Sequence, residues 1–302
     1  MTLGFIGLGQ LGSRLARRLL ESGYTVAVYD RNRSAAEELT HLGATGYDIA
    51  SELANHCNVA ITCLPSPDAS RDVMIGSGRV LENLSPGSTW IEASTVSVQD
   101  IREMSAVASA KGIGVLEAPF TGGVHRAAGG KMTVLAGGDE KLFEEHRQLL
   151  ESLASQVIYL GEIGNASLVK VISNLLCLVD LVAAGEALML ASKGGIDLAQ
   201  CYRAICASSG TSREFEDWVP VILNGSLNTG FTTDLGLKDL GFVTDLGEQH
   251  GVPLKLAGLV KELFEQSREL YGGDAWTPHV VRMLEEEAGE ELRAEGFDEV
   301  IN

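Results

Sequence analysis

The chain has 302 residues, of which 45% are hydrophobic and 21% are charged, as in globular proteins large enough for two domains. A formal net charge of −18 makes nucleic acid and anionic membrane surfaces unexpected partners, because both are bound through clustered lysines and arginines. The five cysteines and six histidines lack ligand spacing and the N-terminus lacks a secretory pattern, so we expect no metal, reduced thiols and a cytoplasmic protein.

The first thirty residues have the pattern of a dinucleotide-binding unit. We predict strands from Thr2 to Ile6 and from Thr25 to Tyr29, with an amphipathic helix between them. The first strand runs into the glycine turn Gly7-Leu8-Gly9-Gln10-Leu11-Gly12. Glycines in this order of elements let the backbone close on a pyrophosphate at a helix N-terminus, whereas the alternative is a tight turn that binds no ligand.

Asp30 ends the second predicted strand and bears on the choice of cofactor. An acid at this place accepts hydrogen bonds from the adenosine ribose and repels a 2′-phosphate, which favours NAD. Arg31 and Arg33 follow, and they would either bind the 2′-phosphate of NADP or face water. The sequence therefore predicts NAD or NADP as the cofactor, with NAD favoured.

Apolar runs alternate with helical patterns from residue 59 to 161, which predicts a doubly wound, mostly parallel sheet. Such sheets bind ligands at the carboxyl ends of their strands. Three loops follow predicted strands there, namely Leu64-Pro65, Ser94-Thr95 and the stretch from Pro119 to Gly123. Each loop also contains the residue types of an ordinary turn, so its composition alone does not decide between the two interpretations.

Strand patterns stop after Gly161, and helical patterns continue to the end of the chain. We predict a Rossmann domain over residues 1–162 and an all-helical domain over residues 163–302, opened by a long interdomain helix. Asp180 and Glu186 interrupt the apolar run of that helix, so we interpret it as buried and not membrane-spanning. The acidic segment from about residue 285 to 302 is expected to be a solvated or frayed tail.

Lys170 and Asn174 lie near the start of the long helix, and their i and i+4 spacing places them on one helix face. A lysine among apolar residues loses hydration, which is costly unless the ammonium group is paired or used. The alternative is a lysine that extends its ammonium group into water.

Six motifs resemble those of the β-hydroxyacid dehydrogenases in their order and spacing. They are GFIGLGQLGSRLARRL, CLPSPDA, IEAST, EAPFTGG, GEIGNASLVKVISN and LKDLGF, and the resemblance extends from residue 2 to about 284. It implies a Rossmann domain that binds NAD or NADP and a helical domain that forms much of the interface of a homodimer or homotetramer. It also implies the interconversion of a small, anionic β-hydroxyacid and its semialdehyde or keto form.

The resemblance also assigns roles to individual residues. It places acid–base work on Lys170, and orientation of the substrate or of that lysine on Asn174. The substrate carboxylate would be bound by Thr121, Gly122 and Gly123. The positions along the cofactor are Leu64 and Pro65 beside its ribose, and Thr95 and Lys238 beside its nicotinamide half.

The residues leave alternatives open for two of these positions. Lys238 is followed by Asp239 and lies one helical turn after Asp234, so it would also suit an ordinary surface ion pair. Thr95 would also suit the N-cap of the helix predicted from residue 96, although Ser94 and Ser97 compete for that place.

The chain departs from the family pattern at a few positions. Ala166 replaces a glycine and should stiffen the start of the long helix, and Thr121 replaces a serine but keeps the hydroxyl group. His125 and Arg126 stand where members often have small residues. Arg126 would either clamp a second anionic group of the substrate or point outward.

The chemistry is consistent with an oxidoreductase. When a hydride leaves a carbinol carbon the hydroxyl group must lose its proton, and Lys170 can take or return that proton if its pKa is lowered by burial or by a nearby cation such as Lys238. Two alternatives remain open: an imine reductase, which typically has another proton donor at the lysine position, and a dinucleotide-sensing or scaffold protein without catalysis.

Overall fold

The computed structural model describes residues 2–298. The chain divides into two compact units, of which the first ends at Lys170 and the second begins at Val171. The first unit combines a sheet with helices, and the second is built from helices.

The sheet of the first unit has a parallel core and an antiparallel edge. Its strands run in the order β3-β2-β1-β4-β5-β6-β8-β7, with β9 paired to β8. Strands β1 to β6 pair in parallel, β8 is antiparallel to β6 and β7, and β9 is parallel to β8. Within residues 2–298 the strands are β1 (Thr2–Ile6), β2 (Thr25–Tyr29), β3 (Thr45–Gly46), β4 (Val59–Thr62), β5 (Thr89–Glu92), β6 (Gly114–Glu117), β7 (Phe120–Thr121), β8 (Thr133–Gly138) and β9 (Gln156–Tyr159).

The helices of the first unit flank this sheet, and the second unit opens within the longest helix. In the described part of the chain they are α1 (Gly12–Glu21), α2 (Arg33–Thr40), α3 (Ala50–Ala54), α4 (Pro67–Met74), α5 (Val80–Asn83), α6 (Val98–Ser109), α7 (Glu140–Leu153), α8 (Asn165–Lys193), α9 (Leu198–Cys206), α10 (Arg213–Leu223), α11 (Thr233–His250), α12 (Lys255–Tyr271) and α13 (His279–Ala288). Residues Val124–Arg126 form a short 3-10 turn.

The register of the parallel strands brings their carboxyl ends to one edge. Tyr29, Ile6, Thr62, Glu92 and Glu117 form a continuous row of paired Cα positions across β2, β1, β4, β5 and β6. The strands are apolar and buried because helices cover both faces of the sheet, which gives two apolar clusters. The loops that follow the strands therefore lie side by side at this edge.

Helix α8 packs as a core helix of the second unit. By length and composition alone it is apolar enough to cross a membrane. Leu178, Leu181 and Leu188 are nonetheless buried in the apolar cluster of this unit. The burial of one face agrees with the interpretation of α8 as a helix of a folded core.

The acidic C-terminal segment is packed, which corrects the expectation of a solvated or frayed tail over the described residues. Leu292 is fully buried. Its backbone N–H and the guanidinium of Arg293 both donate to the buried carboxylate of Glu285 at 2.6 Å, and Asn224 donates to the carbonyl of Asp298 at 2.9 Å. The acidic composition was misleading because one apolar side chain, Leu292, and one cation, Arg293, anchor the segment. Residues 299–302 of the predicted tail lie outside the described residues.

Candidate active site

The three glycines of the turn after β1 have different surroundings. Gly7 has a φ of +95°, and a Cβ there would overlap the carbonyl oxygen of Cys63. A Cβ on Gly12 would overlap the carbonyl oxygen of Gly7. Gly9 has nothing within 4 Å of its Cβ position. The first and third glycines thus serve close backbone packing, while the second borders open space in front of the N-terminus of α1, as a pyrophosphate site requires.

Asp30 braces this turn from the end of β2. One carboxylate oxygen accepts from the N–H of Leu8 at 2.6 Å, and the other accepts from the N–H of Asn32 at 2.7 Å. A carboxylate has about four acceptor sites, so both oxygens retain capacity for ribose hydroxyls. The geometry therefore fits a dinucleotide whose adenosine ribose lies beside Asp30.

The two arginines after Asp30 differ in their partners. Arg33 forms an exposed ion pair with Asp48 at 3.3 Å. Arg31 is exposed, and its charge contributes to a lowered pKa of Asp72, after the hydrogen bonds from Ser77. Arg33 therefore already has an ion-pair partner on the surface, whereas Arg31 is the exposed arginine that directly follows Asp30 in the chain.

The loops after β4 and β5 are tied to each other. The N–H of Leu64 donates to Ser94 Oγ at 2.7 Å, and the N–H of Ser94 donates to Glu92 Oε1 at 2.9 Å. Burial raises the pKa of Glu92, and burial together with Glu92 raises the pKa of Cys63 to about 12. The hydrogen bonds of Ser94 fix the loop that begins at Leu64 to the end of β5, and the raised pKa keeps the Cys63 thiol neutral at physiological pH.

Thr95 follows this tie and is half-buried. It is not the N-cap of α6, because Ser97 Oγ accepts from the N–H of Asp100 at 3.0 Å in that role. The structure thus decides the open alternative against Thr95 as a cap, and its side chain stands at the carboxyl end of β5.

The Thr-Gly-Gly turn is held between a strand and a 3-10 turn. Thr121 pairs with Thr133 of β8, and both glycines have positive φ, +115° for Gly122 and +82° for Gly123. The ring of His125 lies 2.7 Å from the Cβ position of Gly123, and Arg126 Cδ lies 3.7 Å from that of Gly122. The two unusual side chains therefore flank the glycines.

Lys170 is 8% exposed, which disfavours the alternative of a lysine extended into water. It lies in the second turn of α8, after a first turn bound by the fully buried Glu117 of β6. Glu117 belongs to the EAPFTGG motif, and the sequence predicted no role for it. A signal was present, because an acid that ends an otherwise apolar strand needs partners.

Asn174 and Lys238 are joined through Asp239 within the second unit. Asn174 Nδ2 donates to Asp239 Oδ2 at 2.5 Å, and Lys238 Nζ lies 3.0 Å from Asp239 Oδ1. The side chains of Lys238 and Asp239 are 17% and 2% exposed, so the alternative of an ordinary surface pair at Lys238 is wrong and the pair is largely buried. Asp234, the other candidate partner, pairs with Arg268.

The donor set suits a dinucleotide. The glycine turn, Asp30 and the linked loops after β4 and β5 bring backbone N–H groups and the Asp30 carboxylate to one edge of the sheet, as a dinucleotide site requires. Among residues 2–298, no group of three or more His, Cys, Asp or Glu side chains is arranged to hold a metal.

Comparison with known proteins agrees with this geometry. Residues 2–161 match the family model described as the NAD binding domain of 6-phosphogluconate dehydrogenase, and residues 164–284 match that described as NAD-binding of NADP-dependent 3-hydroxyisobutyrate dehydrogenase. The chain is 31% identical to 2-(hydroxymethyl)glutarate dehydrogenase of Eubacterium barkeri, over 95% of this chain and 96% of the relative. The crystal structure of 3-hydroxyisobutyrate dehydrogenase from Salmonella typhimurium superposes with a TM-score of 0.87 at 31% identity, covering 94% of this chain and 99% of that one.

The fold and site define an NAD(P)-dependent hydroxyacid dehydrogenase or semialdehyde reductase. The chain belongs to the β-hydroxyacid dehydrogenase family, which confirms the predictions of family, fold class and enzyme class. The imine reductase alternative is more distant: the Streptomyces aurantiacus imine reductase is 19% identical, with a TM-score of 0.65, and this likeness shows the fold alone.

Proposed function

We propose that Lys170 is the general acid and base for the interconversion of a small β-hydroxyacid and its semialdehyde or keto form. The observation that carries the proposal is a buried lysine near the start of α8, in the unit that also contains the glycine turn and the Thr-Gly-Gly turn. The bound nicotinamide supplies the hydride chemistry at the carbinol carbon. Lys170 Nζ takes the hydroxyl proton in oxidation and returns it in reduction.

The remaining residues bind and orient. The Thr121 hydroxyl group and the backbone N–H groups of Gly122 and Gly123 bind the substrate carboxylate, because no side chain on the glycines obstructs a close approach. Asn174 orients the substrate or Lys170. The cofactor is held by residues 7–12 and Asp30 at its adenosine half, by Leu64 and Pro65 at its ribose, and by Thr95 and Lys238 at its nicotinamide half.

The test is Lys170→Ala, with Lys141→Ala as the matched control, because Lys141 is exposed and pairs with Glu145 one turn away on α7. We expect Lys170→Ala to lower kcat by about 10²- to 10⁴-fold while the Kd of NADH, measured by fluorescence quenching, changes less than about threefold. Near-normal turnover in Lys170→Ala would remove the mechanism.

We further propose that Arg126 contacts a second anionic group of the substrate. The stem of Arg126 lies beside Gly122, and 2-(hydroxymethyl)glutarate, after which the Eubacterium barkeri relative is named, carries two carboxylates. Arg126→Ala should lower kcat/KM for 2-(hydroxymethyl)glutarate by about tenfold or more relative to 3-hydroxyisobutyrate, which has one carboxylate. An unchanged ratio means that Arg126 points away from the substrate.

We propose NAD as the preferred cofactor. Asp30 would repel a 2′-phosphate, and Arg33 is paired with Asp48. Comparison of kcat/KM for NAD and NADP tests this, and Arg31→Ala should leave the NAD value unchanged. A higher value with NADP that falls in Arg31→Ala would assign the cofactor to NADP through Arg31.

We propose that the protein is a soluble, cytoplasmic homodimer or homotetramer. Ile172, Leu176 and Leu190 of α8 are 46%, 59% and 76% exposed in the single chain, which is unusual for large apolar side chains that recur along one helix. Light scattering after size exclusion should give a multiple of 32.1 kDa. Leu176→Glu should shift the mass towards the monomer, and a monomeric wild type would contradict the proposal.

A further inference from the structure

We propose that Glu117 is a positioning residue that fixes the helix turn before Lys170 to the strand that leads into the Thr-Gly-Gly turn. This inference rests on the acid–base role proposed for Lys170. It concerns a residue that touches neither substrate nor cofactor in that scheme and acts through the placement of Lys170.

The side chain of Glu117 accepts hydrogen bonds from residues at and just before the start of α8. Oε1 accepts from the N–H groups of Gly164 at 2.6 Å and Ala166 at 3.0 Å. Oε2 accepts from Ser167 twice, from its N–H at 2.9 Å and from its Oγ at 2.6 Å. Both oxygens therefore accept two hydrogen bonds each, from four donors on three residues within positions 164–167, and the side chain is fully buried.

The surrounding backbone leaves room for this carboxylate. Gly137 of β8 is the Cα partner of Glu117, and a Cβ on Gly137 would overlap Glu117 Oε1. Gly164, which donates the shortest of the backbone bonds, has a φ of +100°. A carboxylate in this space is confined by β8 on one side and by the start of α8 on the other, so it has little freedom to move.

This arrangement differs from the other helix starts of the first unit. Helices α4, α6 and α7 are capped by Ser66, Ser97 and Asp139, each the residue just before its helix. The first turn of α8 is instead bound by a side chain 47 to 50 positions earlier in the chain. A local serine cap accepts from one N–H group of the first turn. The long-range carboxylate accepts from three N–H groups and also fixes the distance between α8 and β6.

Both ends of that link carry proposed site residues. Lys170 is three residues after Ser167 and so lies on the same face of α8, one turn along. Thr121 is four residues after Glu117, across the short connection from β6 to β7. Glu117 thus sets the spacing between the proton-transferring amine and the turn proposed to bind the carboxylate. Misplacement of a catalytic group by about 1 Å can cost about 100-fold in rate.

The test is Glu117→Gln, which keeps the shape but puts an NH₂ group where an oxygen accepts from backbone N–H groups. Turnover is measured with 2-(hydroxymethyl)glutarate or 3-hydroxyisobutyrate, whichever the wild type oxidises faster. We expect kcat to fall about 10- to 100-fold, with the Kd of NADH within about threefold of wild type. Glu162→Gln, at an exposed position before α8, is the matched control and should leave kcat unchanged.

The double variant Lys170→Ala/Glu117→Gln separates positioning from general support of the fold. If Glu117 acts through Lys170, the double variant should have the kcat of Lys170→Ala within about twofold, because residues that act as a unit are not additive. A further tenfold loss in the double variant, or normal kcat in Glu117→Gln beside an inactive Lys170→Ala, overturns the inference alone. Normal kcat in Lys170→Ala overturns the proposed function instead.

Two milder variants serve if Glu117→Gln does not fold. Ser167→Ala removes one of the four donors, and Gly137→Ala displaces the carboxylate without changing any charge. Each should lower kcat by several-fold in the wild-type background and by less than twofold in the Lys170→Ala background. Equal losses in both backgrounds contradict the inference.

Discussion

The glycine turn makes opposite predictions for two of its members. Gly12→Ala places a methyl group on the carbonyl oxygen of Gly7, and this backbone atom cannot move aside as the end of a flexible side chain can. We expect a loss of about 1–3 kcal/mol or more in unfolding free energy, as in other overpacked sites. Gly9→Ala places its methyl group in open space and should leave that free energy unchanged or raise it by up to about 1 kcal/mol, because alanine restricts the unfolded chain.

Gly9→Ala should instead impair cofactor binding. If the open space beside Gly9 is where the pyrophosphate approaches, the methyl group should raise the Kd of NADH about 100-fold, which corresponds to about 2.7 kcal/mol of binding free energy. At a cofactor concentration 100 times the wild-type Kd, ligand stabilises the wild type by about 2.7 kcal/mol and Gly9→Ala by only about 0.4 kcal/mol.

Thermal unfolding with and without NADH measures both effects in one experiment. Gly12→Ala should have a low Tm without ligand, and Gly9→Ala should have a normal Tm that NADH barely raises. A wild-type NADH shift in Gly9→Ala would refute the assignment of the open space to the cofactor.

Three further predictions concern stability. Leu292→Ala should lower the unfolding free energy by about 2–5 kcal/mol in urea titrations, because Leu292 is fully buried. An unchanged unfolding free energy would support a frayed tail instead. Asp239→Ala should cost about 3 kcal/mol, since it leaves Lys238 and Asn174 without their shared partner; Asp245→Ala, on the same helix, is the comparison and should cost far less. Burial lowers the pKa of His146 below 6.5, so its contribution to stability is present above pH 6.5 and is lost as the pH falls through the lowered pKa. His146→Gln should therefore lose less Tm than wild type between about pH 7.5 and 5, and parallel curves would contradict this.

Local patterns predicted much of the first unit. Thr2–Ile6 and Thr25–Tyr29 were predicted with their observed bounds, since each strand is flanked by a glycine turn or a helix with clear periodicity. The antiparallel pairing of β7 with β8 was not predicted, because β7 has only two residues and leaves no periodic signal. The partners of Glu117, and Asn174 as a partner of Asp239, were not predicted, since they lie 47 to 65 positions away in the chain.

The site was predicted only where its signals are local in the sequence. Motif spacing identified the glycine turn and Lys170, which are local features. It left a surface ion pair open as the alternative role of Lys238, because the sequence places Asp239 beside Lys238 without showing that Asp239 is buried. The predicted domain boundary after residue 162 and the roles of the individual site residues stay predictions.

The engagement of Asp30 by Leu8 and Asn32 has a consequence for protein engineering. Replacing the acid after the second strand is the obvious way to change the preference of an enzyme between NAD and NADP. In this chain that replacement would also remove the hydrogen bond that holds the glycine turn after β1 to the end of β2. A redesign would do better to keep Asp30 and alter Arg31, whose side chain faces outward from the same corner.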